Sequence, residues 1–306
     1  MKHIDTLIKD SEELKKQREQ IVVDLLSNEA IKKFIMQEKL STDLIKEYPM
    51  HFLKLKNQLT ICTACKGLAE CKLPNKGHIQ SLKYDQILSY AFKPCRYQLQ
   101  YDIEYQHLKK YRINDLSDET KKVLISDVDI DKESNAKYLK AISAIAEWLD
   151  KPSDKGFYLY GDVGVGKTYL AACIANQFAM DGKSVAFIHM PSFLVKLKEA
   201  FYDDREQERL KNIAKNVDLL VMDDIGAETV TSWYRDEVLL PILNERMDQK
   251  RCTVFTSNLS LKILEANFRY NQKGEVDEMK AVRIMERIKM LANPLEIEGK
   301  NRRIRL

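Results

Sequence analysis

A glycine-rich stretch in the middle of the sequence has the composition and spacing of a phosphate-binding loop. It matches G-x-x-x-x-G-K-[ST] in full, through Gly161, Asp162, Val163, Gly164, Val165, Gly166, Lys167 and Thr168. Glycines let the backbone aim its N–H groups at phosphate oxygens, the lysine adds a positive charge, and the threonine hydroxyl can bind Mg²⁺. The motif follows a predicted strand (157–160) and opens a predicted helix (168–180), whose N-terminal dipole favours anions. The sequence therefore predicts a nucleoside triphosphate site with Mg²⁺.

Polar residues follow two later predicted strands. Asp223 and Asp224 end an apolar run, and Asn258 ends the next one. P-loop NTPases bind Mg²⁺ with an aspartate at such a strand end, so we assign this role to Asp223 and expect Asp224 to orient or activate the attacking water. Asn258 would lie in the crevice at the carboxyl ends of parallel strands, close to the γ-phosphate or the water. The alternative is that these residues only end strands or form a turn.

Five candidate metal ligands are concentrated in a short region. Cys62 and Cys65 have the Cys-x₂-Cys spacing that brings two thiolates to one tetrahedral ion, and Cys71, His78 and Cys95 follow. A Zn²⁺ site with four of these five ligands fits a region with little core of its own. The spacing does not determine which candidate is the spare one; we favour Cys62, Cys65, His78 and Cys95, because Cys71 fits a packed, small apolar side chain. Unrelated buried thiols are the alternative.

The elements around these residues predict an α/β domain behind a small helical one. Residues 1 to about 60 have helical periodicity, whereas residues 61–100 lack it and resemble an irregular module of the kind that a metal stabilises. Helices alternate with apolar runs in the second half, which indicates a parallel five-stranded sheet covered on both faces. Residues 101–113 fit either a strand or a short helix. The strands are predicted at 157–160, 185–189, 219–222, 253–257 and 295–297.

We expect two domains joined by a polar linker: a zinc-binding domain at 1–113, the linker at 114–134 and a P-loop domain at 135–306. The first 113 residues carry 20 basic and 14 acidic side chains, whereas the net charge of the 306-residue chain is only +4. That balance is too mild to indicate a nucleic-acid binder by itself. The sequence contains no apolar run long enough for a transmembrane helix, and its charged N-terminus does not resemble a secretory signal. We therefore expect a cytoplasmic protein with no membrane partner.

The acidic strand end together with its flanking residues resembles a known family. The run 219–228, the predicted helix 233–247 and the sequence Thr256-Ser257-Asn258 resemble AAA+ ATPases, in particular the bacterial replicative helicase loaders of the DnaI/DnaC family. The resemblance covers roughly residues 135–306, and the cysteine-rich front half is more similar to the DnaI-type primosomal proteins than to DnaC. It implies an ATPase that delivers the hexameric replicative helicase onto single-stranded DNA during primosome assembly, with other primosome proteins as further partners.

The resemblance also implies roles that spacing alone does not give. Arg287, the second arginine of the run 283–287, would act as an arginine finger on the nucleotide of a neighbouring subunit, which implies self-association on helicase or DNA. Arg302 and Arg303 lie where related ATPases have a sensor arginine, although a basic, solvated tail is an equal alternative because no helical lid fits there. Asp224 replaces the glutamate of many AAA+ proteins, which implies slow, DNA-stimulated hydrolysis suited to a switch.

A helix after the second predicted strand lies where related loaders contact single-stranded DNA. It contains Phe193, Lys196 and Lys198. Aromatic side chains stack on bases and lysines neutralise phosphates. Phe193 fits a buried helical stripe equally well, so the lysines are the stronger candidates.

Two other functions remain open at this stage. One is a zinc-dependent adaptor with a vestigial ATPase, against which the intact motif residues argue. The other is an IstB-like transposition-targeting ATPase, which would prefer duplex DNA.

Overall fold

The computed structural model describes residues 2–130, 136–270 and 276–302, with side chains from residue 12 onward. The chain divides into two units, Met1–Ile103 and Glu104–Leu306. The division therefore falls after Ile103, earlier than the expected domain end at residue 113, because residues 111–114 belong to the sheet of the second unit.

The first unit combines helices with one β-hairpin. Asn28 caps the second helix, since its side-chain oxygen accepts hydrogen bonds from Ala30 N and Ile31 N. Pro49 begins the fourth helix, at a position that needs no backbone N–H. The helices are α1 (Lys2–Ser27), α2 (Glu29–Glu38), α3 (Asp43–Glu47), α4 (Pro49–Thr63) and α5 (Arg96–Glu104), and the antiparallel strands are β1 (His78–Asp85) and β2 (Ile87–Pro94).

The core of the first unit joins its helices to the hairpin. Leu82 of β1 and Leu88 of β2 are buried among apolar residues of α1 to α4. The helical prediction for residues 1–60 is confirmed. The prediction of an irregular segment at 61–100 is wrong in part, because this region contains the hairpin and most of α5. Only Ser81, Leu82 and Leu88 are buried in the two strands, which is too few for a regular alternation of apolar and polar side chains.

The second unit is built on a parallel sheet. Its strand order is β3-β5-β6-β7-β4-β8, and every neighbouring pair is parallel. The prediction of a parallel α/β fold is confirmed, but the sheet has six strands among the described residues, not the five predicted. The additional strand lies at the sheet edge and is only four residues long. The strands are β3 (Tyr111–Asn114), β4 (Gly156–Tyr160), β5 (Val185–His189), β6 (Leu219–Asp223), β7 (Cys252–Ser257) and β8 (Ala292–Glu296).

Helices cover both faces of this sheet. Successive strand residues point to opposite faces, so Phe157 packs into one core and Tyr158 into the other. This explains why the central strands are apolar throughout. Among the described residues, no helix has the length and apolar character needed to span a bilayer. The helices are α6 (Ala136–Asp150), α7 (Lys167–Met180), α8 (Met190–Glu199), α9 (Asp204–Asn216), α10 (Leu240–Asp248), α11 (Leu261–Arg269) and α12 (Glu278–Leu291), with 3₁₀ turns at Gln106–Lys110 and Ile125–Asp127 and a π-helical segment at Tyr234–Leu239.

The segment after β3 packs on the helix that follows the P-loop. Asn176 of α7 is fully buried, and its Nδ2 donates to Thr120 O at 3.0 Å and to Val123 O at 2.9 Å. Its Oδ1 accepts from the Tyr111 hydroxyl at 2.6 Å. The expected linker at 114–134 is thus attached to the second unit over residues 114–130, and residues 131–134 lie outside the described residues.

Candidate functional site

Three neighbouring strands bring the predicted nucleotide-site residues to one edge of the sheet. Strand β7 lies between β4 and β6, with Tyr160 opposite Ser257 and Met222 opposite Phe255. The P-loop follows β4, Asp223 ends β6, and Asn258 follows β7. Because the strands are parallel, these three segments meet at their carboxyl ends, the position at which open α/β sheets bind ligands.

The P-loop lysine is buried and bonded within this edge. Lys167 Nζ donates to Gly161 O at 2.9 Å, to Asp162 O at 2.7 Å and to Asn258 Oδ1 at 2.8 Å. Asn258 Nδ2 in turn donates to Asp224 Oδ1 at 3.0 Å. The amide therefore connects the lysine to the second aspartate, and a bound phosphate would compete for the same ammonium group.

Asp223 lies beside the P-loop threonine. Its Oδ1 accepts hydrogen bonds from Thr168 Oγ1 at 2.9 Å and from Thr256 Oγ1 at 2.6 Å. Burial raises the pKa of Asp223, the two hydroxyl groups lower it, and the nearby charge of Asp224 raises it. A cation would offset this desolvation cost. The hydroxyl and carboxylate oxygens fit Mg²⁺, which prefers hard oxygen ligands.

The loop glycines adopt conformations that other residues rarely adopt. Gly164 has φ of 86° and Gly166 has φ of 103°. A Cβ atom on Gly164 would lie 2.2 Å from Asn301 Oδ1, so the chain end also approaches the loop. Arg302 N donates to Gly164 O at 2.9 Å, and its guanidinium lies 4.2 Å from the centroid of the Tyr138 ring. Arg302 is therefore packed against the P-loop rather than fully solvated, whereas Arg303 lies outside the described residues.

The segment after Asp224 is fixed by a buried carboxyl group. Glu228 Oε2 accepts from Gly226 N at 2.9 Å, and Glu228 Oε1 accepts from the Tyr234 hydroxyl. Burial raises the pKa of Glu228 and, still more, that of Tyr234. Asp224 itself has a left-handed backbone with φ of 62°. The backbone that follows Asp224 is thus held by the contacts of Glu228.

Arg287 lies on α12 and is attached to α10. Its Nε donates to Asn244 Oδ1 at 3.0 Å, and its side chain is 28% exposed. Arg283, one turn earlier, is exposed. Arg287 would have to exchange its bond to Asn244 for a contact with another subunit.

The predicted DNA-contact residues of α8 have different environments. Phe193 is 1% exposed and belongs to the core, so the packing interpretation is confirmed and a base-stacking role for Phe193 is wrong. Lys196 and Lys198 are exposed. Lys196 Nζ is paired with Asp115 Oδ1 at 2.6 Å. The basic side chains of α8 are thus on the surface, and one of them has an acidic partner.

In the part of the chain that the structure describes, the candidate zinc ligands of the first unit are not arranged as a metal site. Among the described residues, no three His, Cys, Asp or Glu side chains are arranged to bind an ion, so the predicted zinc site is not confirmed. His78 Nδ1 is 3.1 Å from Lys76 O, a contact within its own loop. Burial raises the pKa of Cys62, and the charges of the Cys65, Cys71 and Cys95 thiolates raise it further.

The sequence alone does not indicate the roles of two residues in the second unit, Thr256 and Asp115. The motif that ends at Asn258 includes Thr256 but indicates no role for it, whereas its hydroxyl contacts Asp223. The polar composition of residues 114–134 predicts a linker, whereas Asp115 in that segment pairs with Lys196. The first contact depends on the register of β6 and β7, which no local sequence pattern gives. No local signal indicates the second.

The second unit matches a known protein family. The family described as IstB-like ATP binding protein matches residues 104–306. The chain is also 42% identical to the replicative helicase loader DnaI of Bacillus subtilis (strain 168) over 177 residues, which are 58% of this chain and 57% of that protein. It is 31% identical to the replicative helicase loader DnaC of Escherichia coli (strain K12) over 135 residues, 44% of this chain and 50% of that protein. The matches therefore span 50–57% of the length of these relatives.

A solved structure shows the same similarity. A crystal structure of DnaI matches with a TM-score of 0.54 and 35% identity, over 64% of this chain and 99% of that one. The resemblance to the DnaI/DnaC helicase loaders, predicted from the motifs around Asp223 and Asn258, is confirmed by these similarities.

Proposed function

This chain belongs to the family of IstB-like ATP-binding proteins, and we propose that it is an ATP-dependent loader that delivers a hexameric replicative helicase onto single-stranded DNA during primosome assembly. The similarity to proteins named replicative helicase loaders supports this assignment. The proposed partners are the helicase, single-stranded DNA and other primosome proteins, and the proposed place of action is the cytoplasm.

One observation supports the ATP-dependent part most strongly. Lys167, Asn258 and Asp224 are joined by successive hydrogen bonds, and Thr168 is bonded to Asp223 beside them. Each group that a P-loop ATPase needs to bind phosphate, bind Mg²⁺ and place a water is thus present at one sheet edge. A vestigial site would not be expected to retain all five.

In this proposal each residue has a separate task. The backbone of residues 161–168 and Lys167 bind the phosphates, while Thr168 and Asp223 bind Mg²⁺. Bound Mg²⁺ would neutralise charge that develops on the phosphate oxygens. Asp224 orients the attacking water. Asn258 contacts the γ-phosphate and, through its hydrogen bond to Asp224, connects the phosphate to the residue that orients the water. Since Asp224 is short and bonded to Asn258, we propose slow hydrolysis, stimulated by DNA, that acts as a switch.

The proposed DNA contact uses the lysines of α8. Lys196 and Lys198 are exposed on one helix, as a surface for phosphates requires. Both lie in α8, the helix that follows β5, and β5 pairs with β6, the strand that ends at Asp223. DNA bound to these lysines would therefore contact a helix that is connected through β5 to a strand of the nucleotide site.

Self-association would complete the nucleotide site. We propose that Arg287 acts on the nucleotide of a neighbouring copy, which stabilises transition-state charge in the manner of an arginine finger. Arg287 is bonded to Asn244 in the present structure, whereas Arg283, one turn earlier, is exposed. Arg283 is therefore the comparison residue for this assignment.

The first unit is the proposed helicase-binding domain, with one zinc ion bound by four of the ligands Cys62, Cys65, Cys71, His78 and Cys95. The Cys-x₂-Cys spacing of Cys62 and Cys65 supports zinc, because it lets two thiolates reach one tetrahedral ion. The thiols would have to move together to bind it. Elemental analysis of folded protein tests this part: about one equivalent is expected, and a zinc-free folded protein would contradict it.

A transposition-targeting ATPase is the second candidate, because the matching family is described by IstB. Such a protein would prefer duplex DNA and would not bind the helicase. Analytical size separation of the full chain with the replicative helicase of the same organism, with and without ATP, distinguishes the two. A complex that forms with the helicase supports the loader, and separate elution under all conditions contradicts it.

A further inference from the structure

One buried hydroxyl group contacts both acidic residues of the nucleotide site. Thr256, at 1% exposure, lies near the end of β7. Its Oγ1 donates to Asp223 Oδ1 at 2.6 Å and accepts from Asp224 N at 2.9 Å. Its carbonyl oxygen accepts from Ile225 N at 2.9 Å. Three successive residues, the last of β6 and the two that follow it, are therefore bonded to this single residue.

The two hydroxyl bonds act on different parts of the site. The first fixes the carboxylate oxygen that also accepts from Thr168 Oγ1. The second fixes the peptide of Asp224, where the backbone turns into the left-handed region, and so directs its side chain toward Asn258. A hydroxyl can donate and accept at once, which serine can reproduce and valine, of nearly the same shape, cannot.

We propose that Thr256 is a positioning residue for the Mg²⁺–nucleotide site. It holds Asp223 in the orientation that binds the cation and holds Asp224 in the orientation that faces the water. This inference rests on the proposed ATPase function and adds to it a residue that touches neither nucleotide nor metal. Partners that orient metal ligands in this way typically contribute about 10–100-fold to metal affinity or activity.

The same strand offers a matched control. Thr253 is fully buried in β7, its Oγ1 accepts from Arg246 Nε at 2.9 Å and donates to Arg251 O at 3.2 Å. It lies near the start of β7, whereas Thr256 contacts Asp223 near the end of β7. Thr253→Val therefore removes a buried, doubly bonded threonine hydroxyl without touching the acidic residues.

The experiment compares Thr256→Val, Thr256→Ser and Thr253→Val with the parental chain. Equilibrium binding of a fluorescent ATP analogue is titrated with Mg²⁺, and kcat and KM for MgATP are measured on the same preparations. Thr256→Val should raise the Mg²⁺ concentration at half-maximal binding and lower kcat, each by about 10-fold or more, with a smaller change in KM. Thr256→Ser should restore both values to near the parental ones. Thr253→Val should lower the melting temperature and leave the Mg²⁺ midpoint unchanged.

Contrary results are equally specific. A parental Mg²⁺ midpoint in Thr256→Val, a serine variant as impaired as the valine one, or an equal shift in Thr253→Val would overturn the positioning role. If Thr256→Val does not fold, Thr256→Ala takes its place with the same expectation. A parental chain that shows no Mg²⁺-dependent ATP binding would instead contradict the proposed ATPase function, which separates the two failures.

Discussion

Asp115 and Lys196 form an ion pair between the end of strand β3 and helix α8. Their Oδ1 and Nζ atoms are 2.6 Å apart, and Asp115 Oδ2 also accepts from His189 N, just before α8, at 3.1 Å. The carboxylate is mostly buried, with 15% of its side chain exposed. DNA phosphate must therefore compete with Asp115 for a lysine of the proposed DNA surface.

The ion pair predicts that Asp115→Asn strengthens binding of single-stranded DNA. The change keeps an acceptor for His189 N and releases Lys196. A partly exposed pair of this kind is worth ~0.5–1 kcal/mol, or about two- to fivefold in affinity. The slope of log affinity against log salt should steepen by about 0.7 for the added phosphate contact. Fluorescence anisotropy of a labelled oligonucleotide at several salt concentrations measures both quantities.

Asp118→Asn is the matched control for that change. Asp118 pairs with Lys121, has a side chain that is 93% exposed, and lies three residues after Asp115. The same charge is removed without releasing a lysine of α8. If both variants increased DNA affinity equally, the change in net charge alone would explain the increase. That result would disprove the competition between Asp115 and DNA for Lys196.

Asp224→Asn should separate ATP binding from turnover. The amide keeps the shape of the side chain but cannot serve as the carboxylate that orients the water, so kcat should fall by about 100-fold or more with the nucleotide Kd unchanged. Lys167→Ala should abolish binding. Hydrolysis by Asp224→Asn at the parental rate would show that another group performs this task.

The arginine assignment predicts complementation between two inactive variants. Arg287→Ala lacks the proposed finger and Lys167→Ala lacks phosphate binding, so a mixture contains some shared sites in which both groups are intact. DNA-stimulated hydrolysis should return partly in that mixture. Arg283→Ala serves as the comparison. If only the Arg283 variant complements Lys167→Ala, the finger belongs one turn earlier, and no recovery with either variant in co-assembled protein argues against a shared site.

Glu228 predicts a pH dependence of stability. Burial raises its pKa in the folded chain, so the folded state binds more protons than the unfolded state above about pH 4.5, and this group lowers the free energy of unfolding as pH rises. Glu228→Gln removes that contribution. The stability of the variant relative to the parent should therefore increase with pH. Both tryptophans, Trp148 and Trp233, lie in the second unit, so their fluorescence during denaturant unfolding reports it. A relative stability that is constant from pH 4.5 to 8 would contradict the assignment.

The sequence was most informative where chemistry and local structure coincide. The P-loop pattern needs its glycines, lysine and threonine at fixed spacing, so its place between β4 and α7 could be predicted. The apolar central strands were visible because both of their faces are buried. Strand β3 was predicted only as one of two alternatives, because its exposed residues alternate with half-buried ones and its four residues give too short a pattern.

Contacts between distant parts of the chain were beyond sequence reasoning. Phe193 has the same spacing in a buried stripe as in a DNA-contact helix, and only packing decides between them. The contact of Thr256 with Asp223 depends on strand register, and the pairing of Asp115 with Lys196 joins residues 81 positions apart. Similarly, the cysteine spacing predicts a metal site, but it does not determine whether the thiols converge.

Helicase loading on closed circular single-stranded DNA tests the central claim most directly. The hexameric replicative helicase of the same organism is incubated with the circle, ATP and this protein, and helicase bound to DNA is separated from free helicase by gel filtration. We predict that the helicase elutes with the circle only when both the parental protein and ATP are present, and that Lys167→Ala abolishes this transfer. Helicase that stays free in the presence of the active, ATP-bound protein would contradict the loader function.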